Sequence, residues 1–481
     1  MCTARSSFTM LLTSTSRMLC LLGMVVAQQP GTNEVELGPR MPLKQCTVAA
    51  GCSVSDRSIT LDANWRWIHN KDGYANCYQD DSTWDPRFCP DGARCAANCA
   101  LEGVTFSGYE SSYGIKEAPE GVELKFVSRT QYGANYGSRV YMKDGDDNYM
   151  MFKLKNREFT MDVDVAHLPC GLNGAVYFVE MDEFGGAGRH GNNRAGAKYG
   201  TGYCDAQCPH DVKFIDGEAN SQNWNSTSNP PLGHYGACCM EMDIWEANSM
   251  ATSYTPHPCN TVGLERCEGL TCGDNDSGDR YRGVCDKDGC DFNPFRMGEH
   301  DYYGASASFT VDTTKPMTVV TQFLTTDSTD DGDLSEIRRF YVQDGREIPN
   351  SRATILGPDA ADSVTDGFCT AQKNAFGDRN DFAVKGGLQK MGEALDRGVV
   401  LVMSLWDDSL VNMLWLDSAY PTDQARDTPG VARGPCPGGE SSTPHFVRER
   451  YPDASVKFTN VAVGEIGSTV ATARRLGATI I

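Results

Sequence analysis

Twenty cysteines constrain this chain more than any other feature of its sequence. Thiols at that density are unusual in a reducing compartment, whereas disulfide bonds form and persist in an oxidising one. Disulfide bonds also allow a chain to carry long loops, because they limit the conformational freedom of the unfolded state. The sequence therefore predicts a secreted protein whose loops are held by disulfides.

Residues 1–27 have the organisation of a secretory signal peptide. Two arginines and no acidic residue precede an apolar run over 18–27, and Val25 and Ala27 occupy the −3 and −1 positions of a cleavage site. The apolar run is about half the length that a membrane-spanning helix requires. We therefore expect an extracellular protein without a membrane anchor, which begins at Gln28 and keeps eighteen cysteines.

The charge of the chain excludes two classes of partner. Acidic residues outnumber basic ones by 64 to 43, which gives a formal net charge of −21. Nucleic acids and anionic membranes are bound by cationic surfaces, so neither is an expected partner. Hydrophobic residues make up 40% of the chain and aromatic residues 9%, enough for a large core. We expect a soluble, globular monomer.

Alternation of apolar and polar residues predicts strands along the whole chain. Val122, Leu124 and Phe126 alternate with charged residues, and a similar pattern runs from Phe159 to Val165. The remaining alternating segments are 174–181, 317–323, 338–343, 399–406 and 456–463. Strands without intervening helices favour an all-β sandwich.

The segments between these strands are long and rich in glycine, asparagine and cysteine, above all 183–239 and 255–300. Loops of this length usually carry function. One short helix is predicted where Leu388, Met391 and Leu395 recur at helical spacing before a glycine. The chain therefore resembles one large β domain with functional loops.

The segment Glu241–Glu246 places three carboxylates within six residues. On a regular strand Glu241 and Asp243 point to one face, while Glu246 points to the other. A β-bulge would return Glu246 to the face of the other two acids, and bulges are common beside active sites. Carboxylates crowded in this way repel each other, so their pKa values separate.

Glycoside hydrolysis requires such a set, with one ionised and one protonated carboxyl on opposite sides of a sugar bond. Glutamates at this spacing have Cα atoms roughly 13–16 Å apart, and side chains that lean inwards could bring the carboxyls to about 5–5.5 Å, the separation in retaining enzymes. The bare pattern also occurs by chance on exposed strands and helices. The motif alone leaves both interpretations open.

Several longer motifs extend the carboxylate pattern over the chain. They are EMDIWEAN from Glu241, TPHPC from Thr255, YGTGYCDAQCP from Tyr199, MSLWDDSLVNMLWLDS from Met403, NWRWIH from Asn64, LPCGLNGAVYF from Leu168 and VTQF from Val320. Together they resemble fungal-type glycoside hydrolase family 7. The resemblance covers residues 28–468 and implies a catalytic domain there, followed by a short tail at 469–481, with no carbohydrate-binding module.

The resemblance implies a concanavalin-like β-jelly-roll sandwich of two curved antiparallel sheets, with disulfide-held loops that enclose a tunnel for cellulose or cello-oligosaccharides. It implies that Glu241 is the nucleophile, that Glu246 is the general acid/base, and that Asp243 orients Glu241. His257 matches a family histidine close to the acid/base, and a purely structural role for it stays equally open. No metal or other cofactor is expected.

Substrate-binding residues also follow from the resemblance. Glucan chains are bound by aromatic platforms with polar groups at the ring edges. The platforms are Trp65, Trp67, Trp406 and Trp415, the polar groove residues are Asn173, Tyr177, Asp205 and Gln207, and the residues that hold the leaving cellobiose are Arg280, Asp288, Asp291 and Arg433. Ser409, Leu410 and Asp276 stand where the family often has tyrosines, so enclosure of the substrate should differ there.

The family pattern implies nine disulfide bonds that use all eighteen mature cysteines. They are Cys46–Cys52, Cys77–Cys99, Cys89–Cys95, Cys170–Cys436, Cys204–Cys239, Cys208–Cys238, Cys259–Cys285, Cys267–Cys272 and Cys290–Cys369. One further family bridge is absent, since Ala100 stands at the position of its second cysteine. Asn225 and Asn275 begin glycosylation sequons, which suit a secreted protein.

The loops favour a cellobiohydrolase, which releases cellobiose processively from chain ends. The insertion Thr261–Asp288 and the segment Cys369–Gly387 resemble tunnel-forming loops, although 218–236 is somewhat short. The alternatives are an endoglucanase of the same fold, a non-catalytic glucan-binding lectin and a disulfide-rich matrix protein. The three carboxylates argue against a lectin, because binding alone gains nothing from crowded acids.

Overall fold

A computed structural model of the protein describes residues 28–33, 35–189, 193–274 and 279–470. The predicted signal peptide, the sequon at Asn275, Asp276 and most of the predicted C-terminal tail lie outside the described residues. Of that tail, Thr469 is described, and its backbone N–H donates to Glu158 (3.1 Å).

Strands account for most of the regular structure, as the alternating segments predict. The first fourteen are β1 Gln29–Pro30, β2 Leu43–Thr47, β3 Gly51–Ser55, β4 Ser58–Leu61, β5 Ile68–Asn70, β6 Cys99–Leu101, β7 Ile115–Ala118, β8 Gly121–Lys125, β9 Val127–Thr130, β10 Gly133–Tyr136, β11 Ser138–Lys143, β12 Met151–Phe152, β13 Arg157–Asp164 and β14 Leu172–Val179. The others are β15 Phe214–Ile215, β16 Glu218–Ala219, β17 Gly236–Cys238, β18 Glu241–Ala247, β19 Thr252–His257, β20 Glu265–Cys267, β21 Tyr303–Gly304, β22 Val311–Asp312, β23 Met317–Thr325, β24 Leu334–Gln343, β25 Arg346–Pro349, β26 Ser363–Val364, β27 Val399–Asp407 and β28 Ser455–Glu465.

Two large sheets form the sandwich. The seven-stranded sheet has the order β19-β18-β14-β27-β11-β4, with β12 beside β27. The ten-stranded sheet has the order β25-β24-β23-β13-β28-β2-β3, with β26 beside β24 and the β7–β8 pair on β28. Their pairings are antiparallel except that of β2 with β28, which is parallel. The all-β sandwich predicted from the alternation is confirmed.

The seven-stranded sheet is buried on both faces. Met242 and Phe178 of this sheet pack in the core against Phe159 and Phe323 of the ten-stranded sheet. Its other face carries Tyr177 and residues of β11 and β27, which pack against the loop segments around 203–215. Since loops rather than a second sheet cover this face, a groove can form there without opening the main core.

Among the described residues, seven short α-helices lie in the connections. They are α1 Gly92–Asn98, α2 Phe106–Tyr113, α3 Asp366–Phe376, α4 Asp381–Val384, α5 Gly387–Arg397, α6 Leu414–Asp417 and α7 Pro444–Arg450. The predicted helix is α5, whose Leu388, Met391 and Leu395 are fully buried as their spacing requires. It ends at Gly398, whose φ of 118° suits a residue without Cβ.

All nine predicted disulfide bonds are present. Cys204–Cys239 and Cys208–Cys238 tie one loop to the residues directly before β18. Cys170–Cys436 joins positions 266 residues apart, between the start of β14 and the C-terminal loops. The loops on the open face of the seven-stranded sheet are therefore fastened to the strands beneath them.

Candidate active site

A β-bulge places the three carboxylates of β18 on one face. Glu241, Asp243 and Glu246 lie directly opposite Val179, Tyr177 and Ala175 of β14, and the register shifts between Asp243 and Glu246. Directly opposite residues share a face of a sheet, and the three partners alternate along β14. All three carboxylates therefore face the loop-covered side. The predicted bulge is confirmed.

The three carboxylates are largely removed from water. Glu241 keeps 7% of its surface exposed, Asp243 4% and Glu246 9%. Burial, reinforced by the negative charge of Asp243, raises the pKa of Glu241 and that of Glu246 well above their ordinary values. A site with this charge density holds a proton at a pH where an exposed glutamate has lost it.

Glu241 is held by the loop that the two adjacent disulfides fasten. The backbone N–H of Ala206 donates to Glu241 Oε2 (3.1 Å), which stabilises the ionised form. Ala206 lies between Cys204 and Cys208, the two cysteines bound to the end of the preceding segment. The disulfides therefore set the position of the hydrogen-bond donor relative to the carboxylate.

His257 interacts with Asp243. Its Nε2 lies 3.1 Å from Asp243 Oδ2, and its Nδ1 lies 2.8 Å from the carbonyl oxygen of Asp286. Burial lowers the pKa of His257, but the hydrogen bond and charge of Asp243 outweigh that effect and raise it overall. The imidazole thereby offsets the charge of Asp243, and its hydrogen bonds connect β19 to the insertion after it.

Glu246 is oriented by a neighbouring strand. Asn173 Nδ2 donates to Glu246 Oε1 (3.0 Å), and Asn173 Oδ1 accepts from the backbone N–H of Ala247 (3.0 Å). Trp406 lies directly opposite Asn173 on β27. The predicted acid/base is thus hydrogen-bonded to a residue whose neighbour in the sheet is a predicted sugar platform.

A chain of hydroxyl groups leads from the carboxylates along the groove. The Tyr177 and Tyr203 hydroxyls lie 2.8 Å apart, and Tyr203 donates to Asp205 Oδ2 (2.6 Å). Asp205 Oδ1 accepts from the backbone N–H of Gln207, whose side chain reaches the carbonyl of Lys287 (2.8 Å). Burial raises the pKa of Asp205. Tyr177, Asp205 and Gln207 thus lie together.

Arg139 and Tyr203 belong to this cluster and are missing from the sequence prediction. The Arg139 guanidinium lies 3.3 Å from the centroid of the Tyr203 ring and 5.3 Å from that of Trp65, and it pairs with the buried Asp62 (2.9 Å). The only signal in the sequence is an arginine within the strand SRVYMK. A single charge in a strand has too many ordinary explanations to indicate a site.

The residues predicted to hold the leaving sugar form two ion pairs. Arg280 donates to Asp288 (2.8 Å), and Arg433 lies 3.7 Å from Asp291. Arg296, which no motif in the sequence indicates, also pairs with Asp291. Burial alone would raise the pKa of Asp291, but the charges of Arg296 and Arg433 lower it to about 2.

The four predicted platforms occupy two places. Trp406 and Trp415 form one pair, with ring centroids 6.4 Å apart at 27°. Trp65 and Trp67 flank a buried arginine before β5, and Trp67 is 42% exposed. Leu410, at a position where the family often has a tyrosine, is 75% exposed.

The carboxylate cluster also has the donor set of a cation site. Oxygen atoms of Glu241 and Asp243 and a ring nitrogen of His257 lie within 4.8 Å of one another. The His257–Asp243 contact and the hydrogen bond that Glu241 accepts from the N–H of Ala206 account for this approach without a metal.

Among the described residues, none belongs to a helix that is both long enough and apolar enough to cross a bilayer.

A model of one protein family, glycosyl hydrolase family 7, matches residues 30–470. The chain belongs to this family. Its members have the β-jelly-roll fold, so that prediction is confirmed as well. A family 7 cellobiohydrolase from Daphnia pulex is 50% identical with a TM-score of 0.89, over 92% of this chain and all of the other.

Two further solved structures are similar. A cellobiohydrolase from Melanocarpus albomyces, complexed with cellotetraose, is 40% identical with a TM-score of 0.84, over 92% of this chain and 99% of the other. The endocellulase EGI from Humicola insolens is 37% identical with a TM-score of 0.76, over 92% of this chain and all of the other. This family 7 glycoside hydrolase therefore resembles the two cellobiohydrolases more than the endocellulase in backbone structure.

Proposed function

We propose that this family 7 enzyme is a secreted, monomeric cellobiohydrolase that cleaves β-1,4-glucosidic bonds of cellulose with retention of anomeric configuration. The observation that carries the proposal is the bulged strand β18, which directs Glu241, Asp243 and Glu246 into one loop-covered groove. Residues 28–468 form the catalytic domain, preceded by the signal peptide 1–27 and followed by the tail 469–481. Nine disulfides suit an extracellular location.

Glu246 acts first as a general acid. The crowded carboxylates do not all ionise together, and the N–H of Ala206 favours the charge on Glu241, so the proton stays on Glu246. Glu246 transfers this proton to the glycosidic oxygen, while the ionised Glu241 attacks the anomeric carbon and forms a glycosyl-enzyme intermediate. Water then displaces Glu241, with Glu246 taking a proton from that water. Asp243 orients Glu241 and is itself paired with His257, and the Ala206 N–H stabilises the charge of Glu241.

The groove binds the glucan on both sides of this centre. Trp65, Trp67, Trp406 and Trp415 stack against the sugar faces, since tryptophan supplies a large apolar surface with a polar edge. Asn173, Tyr177, Asp205, Gln207 and His257 contact hydroxyl groups near the cleaved bond, and Arg280, Asp288, Asp291 and Arg433 bind the leaving cellobiose. The similar cellobiohydrolase from Melanocarpus albomyces was solved in complex with cellotetraose, which supports a cello-oligosaccharide as the ligand here.

Attack at chain ends is favoured over internal attack by the insertion 261–288. Cys267–Cys272 closes it on itself, and His210–Asp274 (3.0 Å) and His234–Glu268 (2.8 Å) tie it to neighbouring loops. A loop fastened at several points can keep one position between cleavage events, as a tunnel-forming loop of a cellobiohydrolase must. The higher TM-scores of the two cellobiohydrolases agree with this assignment and do not favour an endoglucanase.

Product analysis on crystalline and soluble cellulose tests the proposal. We expect cellobiose as the main product and little loss of viscosity in carboxymethyl cellulose. A rapid fall in viscosity with a broad range of oligosaccharides would indicate an endoglucanase instead. Proton NMR of fresh product should show the β-anomer first, and an initial α-anomer would contradict the roles of Glu241 and Glu246.

A further inference from the structure

Trp67 is the most exposed of the four platform tryptophans, and its orientation depends on a small stack of rings. Its ring centroid lies 4.4 Å from that of His69, and His69 stacks on Tyr74 at 5.0 Å and 20°. The indole Nε1 donates to Asn76 Oδ1 (2.8 Å). His69 itself is fully buried, so it is the part of the stack that can be held from within the protein.

Glu102 holds His69. Its Oε2 lies 3.0 Å from His69 Nε2, and its backbone N–H donates to the carbonyl of Trp67 (3.0 Å). The same carboxylate accepts from Thr32 N (3.2 Å), Thr32 Oγ1 (3.0 Å) and Asn33 N (2.8 Å). One side chain therefore links the stack beneath Trp67 to the N-terminal segment 28–40.

Glu36 holds the backbone between the two tryptophans. Arg66, which separates Trp65 from Trp67, makes a bidentate pair with Glu36 (2.7 and 2.8 Å), and both side chains are at most 1% exposed. The other Arg66 donors go to the carbonyl of Leu61, the hydroxyl of Thr60 and the carbonyl of Glu102. With all five N–H groups engaged, the guanidinium has one position available.

We propose that Glu36 and Glu102 are positioning residues for Trp67. They form a brace between the N-terminal segment and the platform, at the place where the family's further disulfide is absent. Near Ala100, the N-terminal segment is also attached to the protein by the short parallel pairing of β1 with β6, in which Gln29 lies opposite Ala100 and Pro30 opposite Leu101. The inference rests on the proposed function, since it assumes that Trp67 stacks on a glucan chain.

The brace should act on long glucans only. Trp65 contacts Arg139, and through it the Tyr203 end of the catalytic cluster, whereas the ring and side-chain contacts of Trp67 run the other way, to Asn76 and Tyr74. We therefore expect a short ligand bound at the carboxylates to leave Trp67 uncovered. Loosening Trp67 changes the affinity for a chain long enough to cover it and leaves the affinity for a short chain unchanged.

The test is made in a Glu241→Gln background, in which ligands are not hydrolysed. Calorimetry with cellohexaose and cellotriose should show that Glu102→Gln weakens binding of cellohexaose by about 2- to 10-fold, the range of one aromatic stacking contact, with cellotriose unchanged. Glu158→Gln is the matched control. Glu158 is also buried and accepts backbone N–H groups of a terminal segment, at Gly467 (2.9 Å) and Thr469 (3.1 Å), but lies on the ten-stranded sheet.

A double-mutant cycle separates a positioning role from a general structural one. In a Trp67→Ala protein, Glu102→Gln should cause no further loss, because the residue through which it acts is gone. His69→Gln, which leaves the N-terminal contacts of Glu102 in place, should reproduce the loss if Glu102→Gln fails to fold. Additive losses, or an equal loss for cellotriose, would overturn the brace. A Glu241→Gln protein that binds neither ligand would contradict the proposed function itself.

Discussion

Two groups of buried carboxylates in this protein have opposite electrostatic behaviour. The pKa values of Glu241 and Glu246 are raised by burial and by Asp243, whereas the pKa of Asp291 is lowered to about 2 although Asp291 is buried to a similar degree. The difference comes from the neighbours. Arg296 and Arg433 face Asp291, while the catalytic pair faces other acids.

The comparison shows how one protein assigns two tasks to the same functional group. A carboxyl that must give and take a proton, the role we propose for Glu246, needs a pKa near the working pH, which burial among like charges supplies. A carboxyl that only accepts hydrogen bonds from sugar hydroxyls, the role we propose for Asp291, must stay ionised, which adjacent arginines ensure. In the proposed function, the location of positive charge therefore separates the residues of the chemistry from those of product binding.

The largest expected effect follows removal of the nucleophile. Glu241→Gln keeps the shape and one hydrogen-bond acceptor of the side chain but cannot form the glycosyl-enzyme, so turnover of cello-oligosaccharides should fall by about 10⁴-fold or more. Calorimetry with cellotetraose should show binding largely retained. Turnover within 100-fold of the wild-type rate would contradict the role of Glu241 as the nucleophile, and the cluster of carboxylates around it would then need another explanation.

Glu246→Gln should have a smaller effect that depends on the leaving group. Without the proton donor, cleavage of natural glucans should fall by about 10²- to 10⁴-fold. An aryl cellobioside whose phenolate leaves without a proton should release its first phenolate at close to the wild-type rate. Stopped-flow measurement of that burst provides the test. Equal losses on both substrates would remove Glu246 from the role of acid.

The two groups of carboxylates should also give opposite pH dependences of stability. Because the folded pKa of Glu246 is raised, its ionisation costs stability as pH rises above its unfolded value of about 4.5. The Glu246→Gln protein should therefore exceed the wild type in melting temperature above that pH and match it below.

Asp291→Asn should behave in the reverse way. The lowered pKa of Asp291 contributes stability above its unfolded value of 3.8, roughly 2 kcal/mol, which is lost as pH falls towards 2. The variant should melt below the wild type at neutral pH and converge with it in acid, where the wild-type arginines have also lost their partner. Melting temperatures measured from pH 2 to 8 test both the Glu246→Gln and the Asp291→Asn prediction. Differences from the wild type that do not change with pH would contradict the opposite pKa shifts of the two carboxylates.

Added salt should produce the smallest change in stability, and it should not act through Glu241 and Glu246 or through Asp291. The Debye length falls from about 10 Å at 0.1 M to about 3 Å at 1 M, so salt screens surface acids such as Asp327 and Asp331 but hardly reaches buried ones. With a charge of −21, the protein should keep or raise its melting temperature in 1 M sodium chloride. Activity should persist as well. A melting temperature that falls steadily with salt would mean that acidity serves solubility alone.

Local sequence patterns were sufficient for the strands β8, β13, β14, β23, β24, β27 and β28, the helix α5 and the position of the catalytic motif, whereas most of the shorter strands and the other α-helices were not predicted. The apolar run over 399–406, which forms a strand buried on both faces, and the helical spacing over 388–395 are each visible within a single short segment of the sequence. The disulfide pairs and the site residues came from family resemblance, because cysteine spacing alone permits many connectivities. The pattern of Glu241–Glu246 indicated that a bulge was needed, and the register of β14 shows where it lies.

Tertiary structure alone decided how the side chains of the site act on one another. His257 pairs with Asp243, Arg139 stacks on Tyr203, and Glu36 holds Arg66. These partners are separated by 14 to 64 residues in sequence, and neither segment contains a pattern that indicates its partner. The pKa of a carboxyl depends on charges and burial within a few ångströms, so the contrast between Glu246 and Asp291 exists only once the loops have folded over the sheet.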